Sequence, residues 1–272
     1  MNSNFFVSPA TRLVVGALVA AAIVVFAHER RSLSADGAFA ALVLGAICSA
    51  AGWGWAALLI GFFITGTLLS RYKSDRKSER TASVVEKGGN RDARQVLANG
   101  GVFTAAAMMS LVSSSPGWMA LGAGAIGAAA ADTWATEIGV LSASPPRSIL
   151  TGLPVATGQS GGVTFSGTLG GVLGAAGMAL IAWLVGWGNS IATAAIIGGI
   201  GGCTLDSLLG AGPQVRRWCD HCNAATERAV HDCGTTTRVV GGLTWLNNDA
   251  VNAVSSAFGA LLGWLWILAN RS

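Results

Sequence analysis

The sequence predicts an all-α integral membrane protein, a polytopic bundle of about seven or eight short transmembrane helices rich in glycine and alanine. Three observations lead to this prediction. Of the 272 residues, 52% are hydrophobic and only 11% are charged, whereas soluble domains average about 25% charged residues. The 38 glycines allow helices to approach closely in lipid. Uncharged stretches reach 58 residues, between Arg147 and Asp206, although about 20 residues are enough to cross a bilayer.

Turn-forming clusters divide the longest uncharged stretches and so define the expected helix boundaries. They are Gly-Trp-Gly at 52–54, Ser-Ser-Ser-Pro-Gly at 113–117 and Gly-Trp-Gly-Asn at 186–189, and each favours a turn over a continuing helix. We expect a single integral membrane domain over residues 1–272 with eight apolar segments, one or two of which are candidates for re-entrant segments. The segments are about 12–28, 36–51, 54–70, 97–113, 117–137, 167–186, 190–206 and 249–269.

The first apolar segment has an alternative interpretation as a signal peptide. The run Val-Phe-Ala at 25–27 is an acceptable cleavage site for a signal peptidase. The charged run His-Glu-Arg-Arg at 28–31 follows immediately and favours a cytoplasmic anchor instead. We therefore expect the segment to be the first span.

Positive charge is distributed unequally between the two faces of the predicted bundle. When loops alternate across the membrane, one face receives 15 of the 17 Lys and Arg residues, and the other keeps Arg12 and Arg271. The positive-inside rule assigns the richer face to the cytoplasm. We expect a multi-pass protein of the plasma membrane whose active site faces the cytoplasm, with loops at about 71–96, 138–166 and 207–248. These loops account for the net charge of +4, so no nucleic-acid partner is expected.

Carboxylates are scarce in the apolar segments, and those present lie at span ends. Asp132 and Glu137 lie near the end of the fifth segment, Asp206 closes the seventh, and Asp249 opens the eighth. Ionisable residues at membrane depth are costly and tend to be functional. Each acid could instead cap a helix or pair with a loop arginine, and for Asp249 capping is a serious alternative. Four acids at one expected depth favour a shared cation site.

A glycine-rich segment between the third and fourth spans has the composition of an anion-binding loop. Two glycines beside Lys and Arg allow the backbone to curl around an anion, with N–H groups and cations turned inward. Its residues are Lys87, Gly88, Gly89, Asn90 and Arg91. The neighbouring charged run from Arg71 to Arg80 is interpreted differently, as a solvated loop that touches anionic headgroups and has no catalytic role.

A second candidate anion loop lies at residues 157–168, which are rich in Gly, Ser and Thr. The loop contains Ser160, Gly161 and Gly162 and runs into the sixth span. The start of a helix offers free backbone N–H groups and the positive end of its dipole. The chain contains no G-x-x-x-x-G-K-[ST] motif, so any nucleotide is held in another way.

Three cysteines and one histidine lie within 15 residues of each other in the last predicted loop. They are Cys219, Cys222, His231 and Cys233. Their types suit a structural Zn²⁺ site, although His221 is a competing ligand and the two halves are closer together than in most zinc sites. Free thiols are an equally supported interpretation, and a disulfide is less favoured in a cytoplasmic loop. In each case we expect a structural role, the clamping of the 207–248 loop.

Six short motifs, in order over about residues 10–270, resemble a family of integral membrane proteins. That family includes animal transmembrane protein 19 and the plastid phytyl-phosphate kinase of tocopherol synthesis. The motifs are specific together, although no single one is. They are KGGNRD at 87–92, ADTWATEIG at 131–139, PR at 146–147, GGVT at 161–164, LDSL at 205–208 and LNNDAVN at 246–252. The lack of a plastid transit peptide favours a prokaryotic member.

The resemblance implies a reaction. A nucleoside triphosphate, CTP or ATP, would donate a phosphoryl group to an isoprenyl monophosphate such as phytyl or geranylgeranyl phosphate, giving the diphosphate. A phosphate monoester has a second pKa of about 6, so its oxygen is ionised at neutral pH and needs no strong general base. The paired-cysteine loop is absent from plant and animal members, so the resemblance gives it no catalytic role.

The resemblance also implies roles for the candidate residues. Mg²⁺ prefers oxygen ligands and keeps several waters, which suits Asp132, Asp206 and Asp249, with Glu137 and Asn248 as helpers. Lys87 and Arg91 would act on the phosphates. The remaining substrate- and phosphate-binding candidates are Gly88, Gly89, Asn90, Arg147, Ser160, Gly161, Gly162, Asn248 and Asn252.

Two other function classes stay open at this point. A polyprenol kinase or a nucleotidyl-lipid synthase would use the same metal- and phosphate-binding residues. A transporter or flippase must open to both faces, and the one-sided loops argue against it. The lipid bilayer is the expected environment, and the sequence leaves the oligomeric state open, including a homo-oligomer.

Overall fold

The computed structural model describes residues 8–81 and 90–270, and these residues are mostly helical. Their helices are α1 (Pro9–Glu29), α2 (Ala35–Ala51), α3 (Trp53–Arg71), α4 (Ser74–Thr81), α5 (Ala93–Val112), α6 (Pro116–Gly139), α7 (Phe165–Leu184), α8 (Asn189–Ala211) and α9 (Asn248–Ala269). Every helix except α4 coincides with one of the eight predicted apolar segments. The predicted all-α membrane bundle is therefore confirmed.

Six of the described helices are long and apolar enough to cross a membrane, namely α1, α3, α5, α7, α8 and α9. The chain is thus a multi-pass membrane protein. Helix α2 is apolar but shorter, with 17 residues. Helix α6 packs against α5, α7, α8 and α9, and 12 of its 24 residues are buried. Its small side chains therefore face other helices rather than lipid, which explains its modest hydrophobicity.

Small residues bring α6, α8 and α9 into close contact. A Cβ placed on Gly124 of α6 would lie 2.2 Å from the carbonyl oxygen of Gly259 in α9. A Cβ on Gly202 of α8 would lie 2.4 Å from the Cβ of Ala128 in α6 and 2.8 Å from the carbonyl oxygen of Ser255 in α9. Larger side chains at these positions would push the three helices apart, so their packing depends on glycine.

The longer loops meet at one end of the bundle, called here the loop face, which carries α4, residues 140–164 and residues 212–247. Connections at the opposite end have one to four residues. Two small antiparallel sheets order the loop face. Strand β1 (Arg147–Ser148) pairs with β2 (Gly162–Val163), and β3 (Arg216–Cys219) pairs with both β4 (Ala224–Thr226) and β5 (Arg238–Gly241).

The charged run from Arg71 to Arg80 is exposed, as the sequence predicted, except at Lys77, but much of it forms helix α4 rather than a loop. Lys77 of α4 reaches Glu137 of α6, with 2.6 Å between Nζ and Oε2, and these side chains are only 10% and 19% exposed. Arg80 donates a hydrogen bond to the carbonyl oxygen of Val140. Helix α4 is therefore docked on the end of α6. The sequence did not predict this contact, because composition does not show which charges of a short polar helix find a buried partner.

Candidate functional site

A polar cavity of about 280 Å³ lies at the loop face, where α6, α8 and α9 end or begin. We call it the acidic cavity. It is lined by Asp132 of α6, Asp206 of α8 and Asp249 of α9, the three aspartates singled out from the sequence. Glu137 and Asn248 also line it. The fold thus places carboxylates from three separate helices around one space.

The packing of α6 on α8 places Asp132 beside Asp206. Ala128 and Gly202, which are in contact, lie four residues before these aspartates and therefore on the same helix faces. The two carboxyl groups interact directly. Oδ2 of Asp206 is buried and accepts no hydrogen bond from the described residues. Two adjacent carboxylates repel unless they share a proton or a cation, so positive charge is required between these two groups.

Helix capping does not account for Asp249. The N-cap of α9 is Asn247, whose side chain accepts a hydrogen bond of 3.0 Å from the backbone N–H of Ala250. Asp249 lies in the first turn of α9 and lines the acidic cavity. The capping alternative for this residue is therefore wrong.

Acidic side chains outnumber basic ones among the described residues of the acidic cavity. Among the described residues that line it, five are acidic and Arg91 is the single basic one. Glu137 is paired with Lys77, and the other acidic residues of the lining are Asp132, Asp206, Asp249 and Glu227. Several carboxylate oxygens, one of them buried without a donor, fit the oxygen preference of Mg²⁺.

Arg91 is held in place through its backbone. Its N–H donates to the carbonyl oxygen of Ser32, and its own carbonyl oxygen accepts from the N–H of Ser34, both at 3.1 Å. The guanidinium lies against α3, where a Cβ placed on Gly66 would be 3.1 Å from Nη2. Burial lowers the pKa of Arg91, and the charge of Glu137 opposes this effect. Because an arginine stays protonated in proteins, the cavity wall carries a fixed positive charge.

The glycine-rich loop at 157–162 closes the acidic cavity over the end of α8. Gly161 has φ of +77°, and a Cβ there would lie 2.2 Å from the backbone nitrogen of Ala211, so only glycine fits. Ser160 donates to the carboxylate of Glu227 from both its backbone N–H and its hydroxyl. Gln214 donates to the same hydroxyl at 2.9 Å. The loop is therefore tied to the 212–247 segment.

A second cavity, of about 340 Å³ and mostly apolar, lies between α1, α2, α3 and α5. We call it the apolar groove. Side chains such as Ile23 and Phe63 form its walls. Arg91, Gln95 and Thr133 line both the apolar groove and the acidic cavity. The two spaces therefore adjoin at these three residues.

The sequence of this chain matches a family described as Integral membrane protein DUF92 over residues 18–260. The chain belongs to this family. The resemblance to the family of transmembrane protein 19 and phytyl-phosphate kinase is thereby confirmed. Relatives include Protein PGR of Arabidopsis thaliana, 30% identical over 91% of this chain and 93% of that protein. No solved structure matches the chain.

Two further relatives of this DUF92 chain come from microorganisms. An uncharacterized membrane protein of Methanocaldococcus jannaschii is 33% identical over 74% of this chain and 82% of its own length. One from Synechocystis is 29% identical over 82% of this chain and 78% of its own length. The likeness to relatives thus extends over most of the bundle.

Some candidate residues of this DUF92 chain do not line the acidic cavity. Arg147 is exposed, and its guanidinium donates to the carbonyl oxygen of Gly152 at 2.8 Å, because the turn after β1 folds back towards it. Asn90 lines a neighbouring basic pocket with Arg30, Arg31 and Arg71. Asn252 lies one turn into α9, outside the lining. The candidates Lys87, Gly88 and Gly89 lie outside the described residues. Those that do line the cavity are Ser160, Gly161, Gly162 and Asn248.

Sequence reasoning missed several residues of the acidic cavity. Thr136 follows Asp132 by four residues, so helical spacing could have placed it on the same face. Glu227 gave no such signal, because it lies in an irregular segment whose path no periodicity predicts. The missed lining residues are Gln95, Thr133, Thr136, Ser207 and Glu227.

Proposed function

We propose that this chain is a membrane-embedded isoprenyl-monophosphate kinase, which converts a prenyl phosphate and a nucleoside triphosphate, CTP or ATP, into the prenyl diphosphate and the nucleoside diphosphate. The observation that carries the proposal is the junction of the acidic cavity with the apolar groove at Arg91, Gln95 and Thr133. A prenyl phosphate joins an anionic head to an apolar chain. With its phosphate beside Arg91, its chain can lie in the apolar groove, within the membrane.

The proposed metal ligands are Asp132, Asp206 and Asp249. The absence of a hydrogen-bond donor for Oδ2 of Asp206 among the described residues supports this role. Glu227 acts electrostatically on Asp206, and its carboxylate would supply a further oxygen ligand for the metal. Bound Mg²⁺ would neutralise phosphate oxygens of the nucleotide, which is the principal requirement of phosphoryl transfer.

The remaining residues would bind and orient rather than exchange protons. The phosphate of the acceptor is ionised at neutral pH, because its second pKa is about 6. In agreement, the described residues that line the acidic cavity include no histidine. Arg91 would hold the acceptor phosphate, and the fixed charges would stabilise the transition state electrostatically.

The test is a product assay with purified protein in detergent, Mg²⁺, CTP or ATP, and prenyl monophosphates of several lengths. We expect prenyl diphosphate and nucleoside diphosphate in equal amounts, with Asp206→Asn as the inactive control. Release of pyrophosphate with a nucleotidyl-lipid product would assign the chain to the nucleotidyl-lipid synthases instead. Turnover of a free prenol but not of its phosphate would indicate a polyprenol kinase.

We further propose that the protein resides in the plasma membrane with its loop face in the cytoplasm, where nucleoside triphosphates are available. The positive-inside rule supports this orientation, because 15 of the 17 basic residues belong to the loop face in the alternating arrangement. The unmodified chain, whose Cys222 and Cys233 are exposed, gives the background reaction with a membrane-impermeant thiol reagent. A cysteine introduced at Ser144 should add labelling in inverted vesicles, and one introduced at Ser114, at the opposite end of the bundle, should add labelling in right-side-out vesicles. The reverse pattern would overturn the orientation.

A further inference from the structure

We propose that the three cysteines and the histidine of the last loop form a tetrahedral Zn²⁺ site, which holds Glu227 at the acidic cavity. The ligands are Cys219, Cys222, His231 and Cys233. One ligand atom from each residue lies within 4.8 Å of all the others. The metal site does not depend on the proposed reaction.

Two distances within this cluster are close to the edges of a tetrahedron of ligands around one ion. Sγ of Cys219 is 3.6 Å from Sγ of Cys233, and Nδ1 of His231 is 3.4 Å from the same sulfur. Zn–S bonds of about 2.3 Å and Zn–N bonds of about 2.05 Å in a tetrahedron imply S···S edges of about 3.8 Å and S···N edges of about 3.5 Å. A disulfide would bring two sulfurs to about 2.05 Å. The observed spacings match the tetrahedral edges.

Burial distinguishes the ligand histidine from its competitor. His231 is 8% exposed, and its Nδ1 lies 3.4 Å from Sγ of Cys233, so this nitrogen is placed as a ligand atom of the cluster. His221 is exposed and lies outside the four-atom cluster. The structure therefore assigns the fourth position to His231.

Two tight turns present the ligands to each other. Cys219 ends β3 and pairs with Ala224 of β4, so the turn between them returns Cys222 towards Cys219. In the second turn, Gly234 donates to the carbonyl oxygen of His231 at 2.8 Å, which brings Cys233 beside the imidazole. Cys-x-x-Cys on a tight turn, opposed by a second short pair, is suited to structural zinc.

The surrounding sheet is small and has little apolar core of its own. Its strands β3, β4 and β5 have four, three and four residues, and such short strands rarely hold together unaided. The apolar side chains of β5, Val239 and Val240, are exposed, so they add no buried core to the sheet. Structural metals commonly replace a hydrophobic core in elements of this size.

The same site determines where Glu227 lies. This residue follows β4 directly, with Cys222 five residues before it and His231 four residues after it. Its carboxylate accepts the hydrogen bonds from Ser160 in the loop at 157–162. A metal held by residues that precede and follow Glu227 in the chain would therefore fix the position of Glu227. It would thereby fix the contact that ties this loop to the acidic cavity.

The first measurement is the metal content of the full chain, purified in detergent under reducing, chelator-free conditions. We expect about one zinc per chain, as for a single four-ligand site, and at least a tenfold loss in the double variant Cys219→Ser/Cys222→Ser. The matched control is Cys48→Ala, which changes a buried cysteine within α2 and should keep its zinc. Replacement by Co²⁺ should give the visible absorption of a tetrahedral thiolate site.

The proposal is overturned if the wild-type chain carries no more zinc than the double variant and takes up neither Zn²⁺ nor Co²⁺ on titration. A Cys219–Cys233 disulfide in the purified protein would overturn it equally. Should the double variant fail to fold, competition for Zn²⁺ between the wild-type chain and a chromophoric chelator measures the zinc affinity of the site without a variant.

The second measurement concerns the position of Glu227. Removal of zinc with EDTA should raise amide hydrogen exchange in peptides covering 157–162 and 226–230 by at least tenfold, while α7 is unchanged. Glu227→Gln should keep its zinc but raise exchange at 157–162, because it weakens the contact with Ser160. Unchanged exchange at 157–162 after zinc removal would overturn the positioning role and leave the metal site intact.

Discussion

The carboxyl groups of Asp132 and Asp206 interact directly at the loop ends of α6 and α8. One helical turn deeper, the Cβ of Ala128 fills the space beside Gly202, so the two aspartates cannot move apart without separating the helices. Adjacent carboxylates repel unless a cation or proton lies between them. The contact between Ala128 and Gly202 therefore keeps the two carboxyl groups close together, and their repulsion has to be offset by positive charge in the acidic cavity.

Asparagine at each of the three aspartates should abolish most Mg²⁺-dependent activity without unfolding the protein. Loss of a charge that stabilises the transition state costs on the order of 3 kcal/mol, or about a hundredfold in rate. The measurement is the rate at limiting Mg²⁺ for Asp132→Asn, Asp206→Asn and Asp249→Asn. The control is Asp36→Asn. Asp36 lies at the start of α2, accepts hydrogen bonds from Ser34 and from the N–H of Ala93, and does not line the acidic cavity. Full activity of Asp249→Asn would reduce the cluster to the other two aspartates.

Arg91 and Arg147 should behave differently when each is changed to lysine. Lysine cannot reproduce the planar, two-pronged hydrogen bonding of arginine. A hydrogen bond to a charged group is worth about 1.5–3 kcal/mol, so Arg91→Lys should raise the KM for prenyl phosphate by roughly ten- to a hundredfold. Arg147→Lys should leave the KM within about twofold, because its guanidinium is exposed and bound to Gly152. The opposite order would place the acceptor phosphate near β1.

Chain-length preference should depend on the apolar groove. Ala57 lines the apolar groove, and Ala57→Phe would fill part of the space proposed for the prenyl chain. The ratio of kcat/KM for a long over a short prenyl phosphate should fall by about tenfold, which corresponds to about 1.4 kcal/mol. Leu68→Phe is the control, since Leu68 lies on the same helix, is 63% exposed and is not part of the apolar groove. An unchanged ratio for Ala57→Phe would show that the chain lies elsewhere.

Lys77 and Glu137 should be coupled in stability. Lys77→Met leaves Glu137 partly buried among other acids, whereas Lys77→Met/Glu137→Gln removes both charges. A double-mutant cycle by thermal unfolding should show coupling of about 0.5–3 kcal/mol, with the double variant more stable than Lys77→Met alone. Arg76→Met, at an exposed position of α4, should change the melting temperature little. Additive effects would mean that α4 docks without this ion pair.

Gly202 should tolerate no side chain. A Cβ there would lie 2.4 Å from the Cβ of Ala128, and overpacking typically costs about 1–3 kcal/mol. Gly202→Ala should therefore lower the melting temperature clearly. Gly177→Ala in α7 is the matched control, because a Cβ there meets nothing within 4 Å. Equal melting temperatures for the two variants would contradict the close approach of α6 and α8.

The sequence by itself determined the membrane class, the positions of the eight long helices and the aspartates at their ends. These properties are local, because uncharged length decides whether a segment suits the bilayer and a carboxylate at its end is visible without knowing its neighbours. The cysteine and histidine spacing likewise predicted a cluster of Cys219, Cys222 and Cys233 with a histidine, and the structure brings His231 rather than His221 into it.

Only the tertiary structure decided which distant side chains meet. Lys77 contacts Glu137, and Glu227 contacts Ser160, although the partners are 60 and 67 positions apart in the chain. They depend on how closely α6, α8 and α9 approach through glycine and alanine, and on hydrogen bonds that form only once the loops are in place. Sequence spacing describes neighbours along one helix, whereas the acidic cavity is formed by residues from different helices and loops.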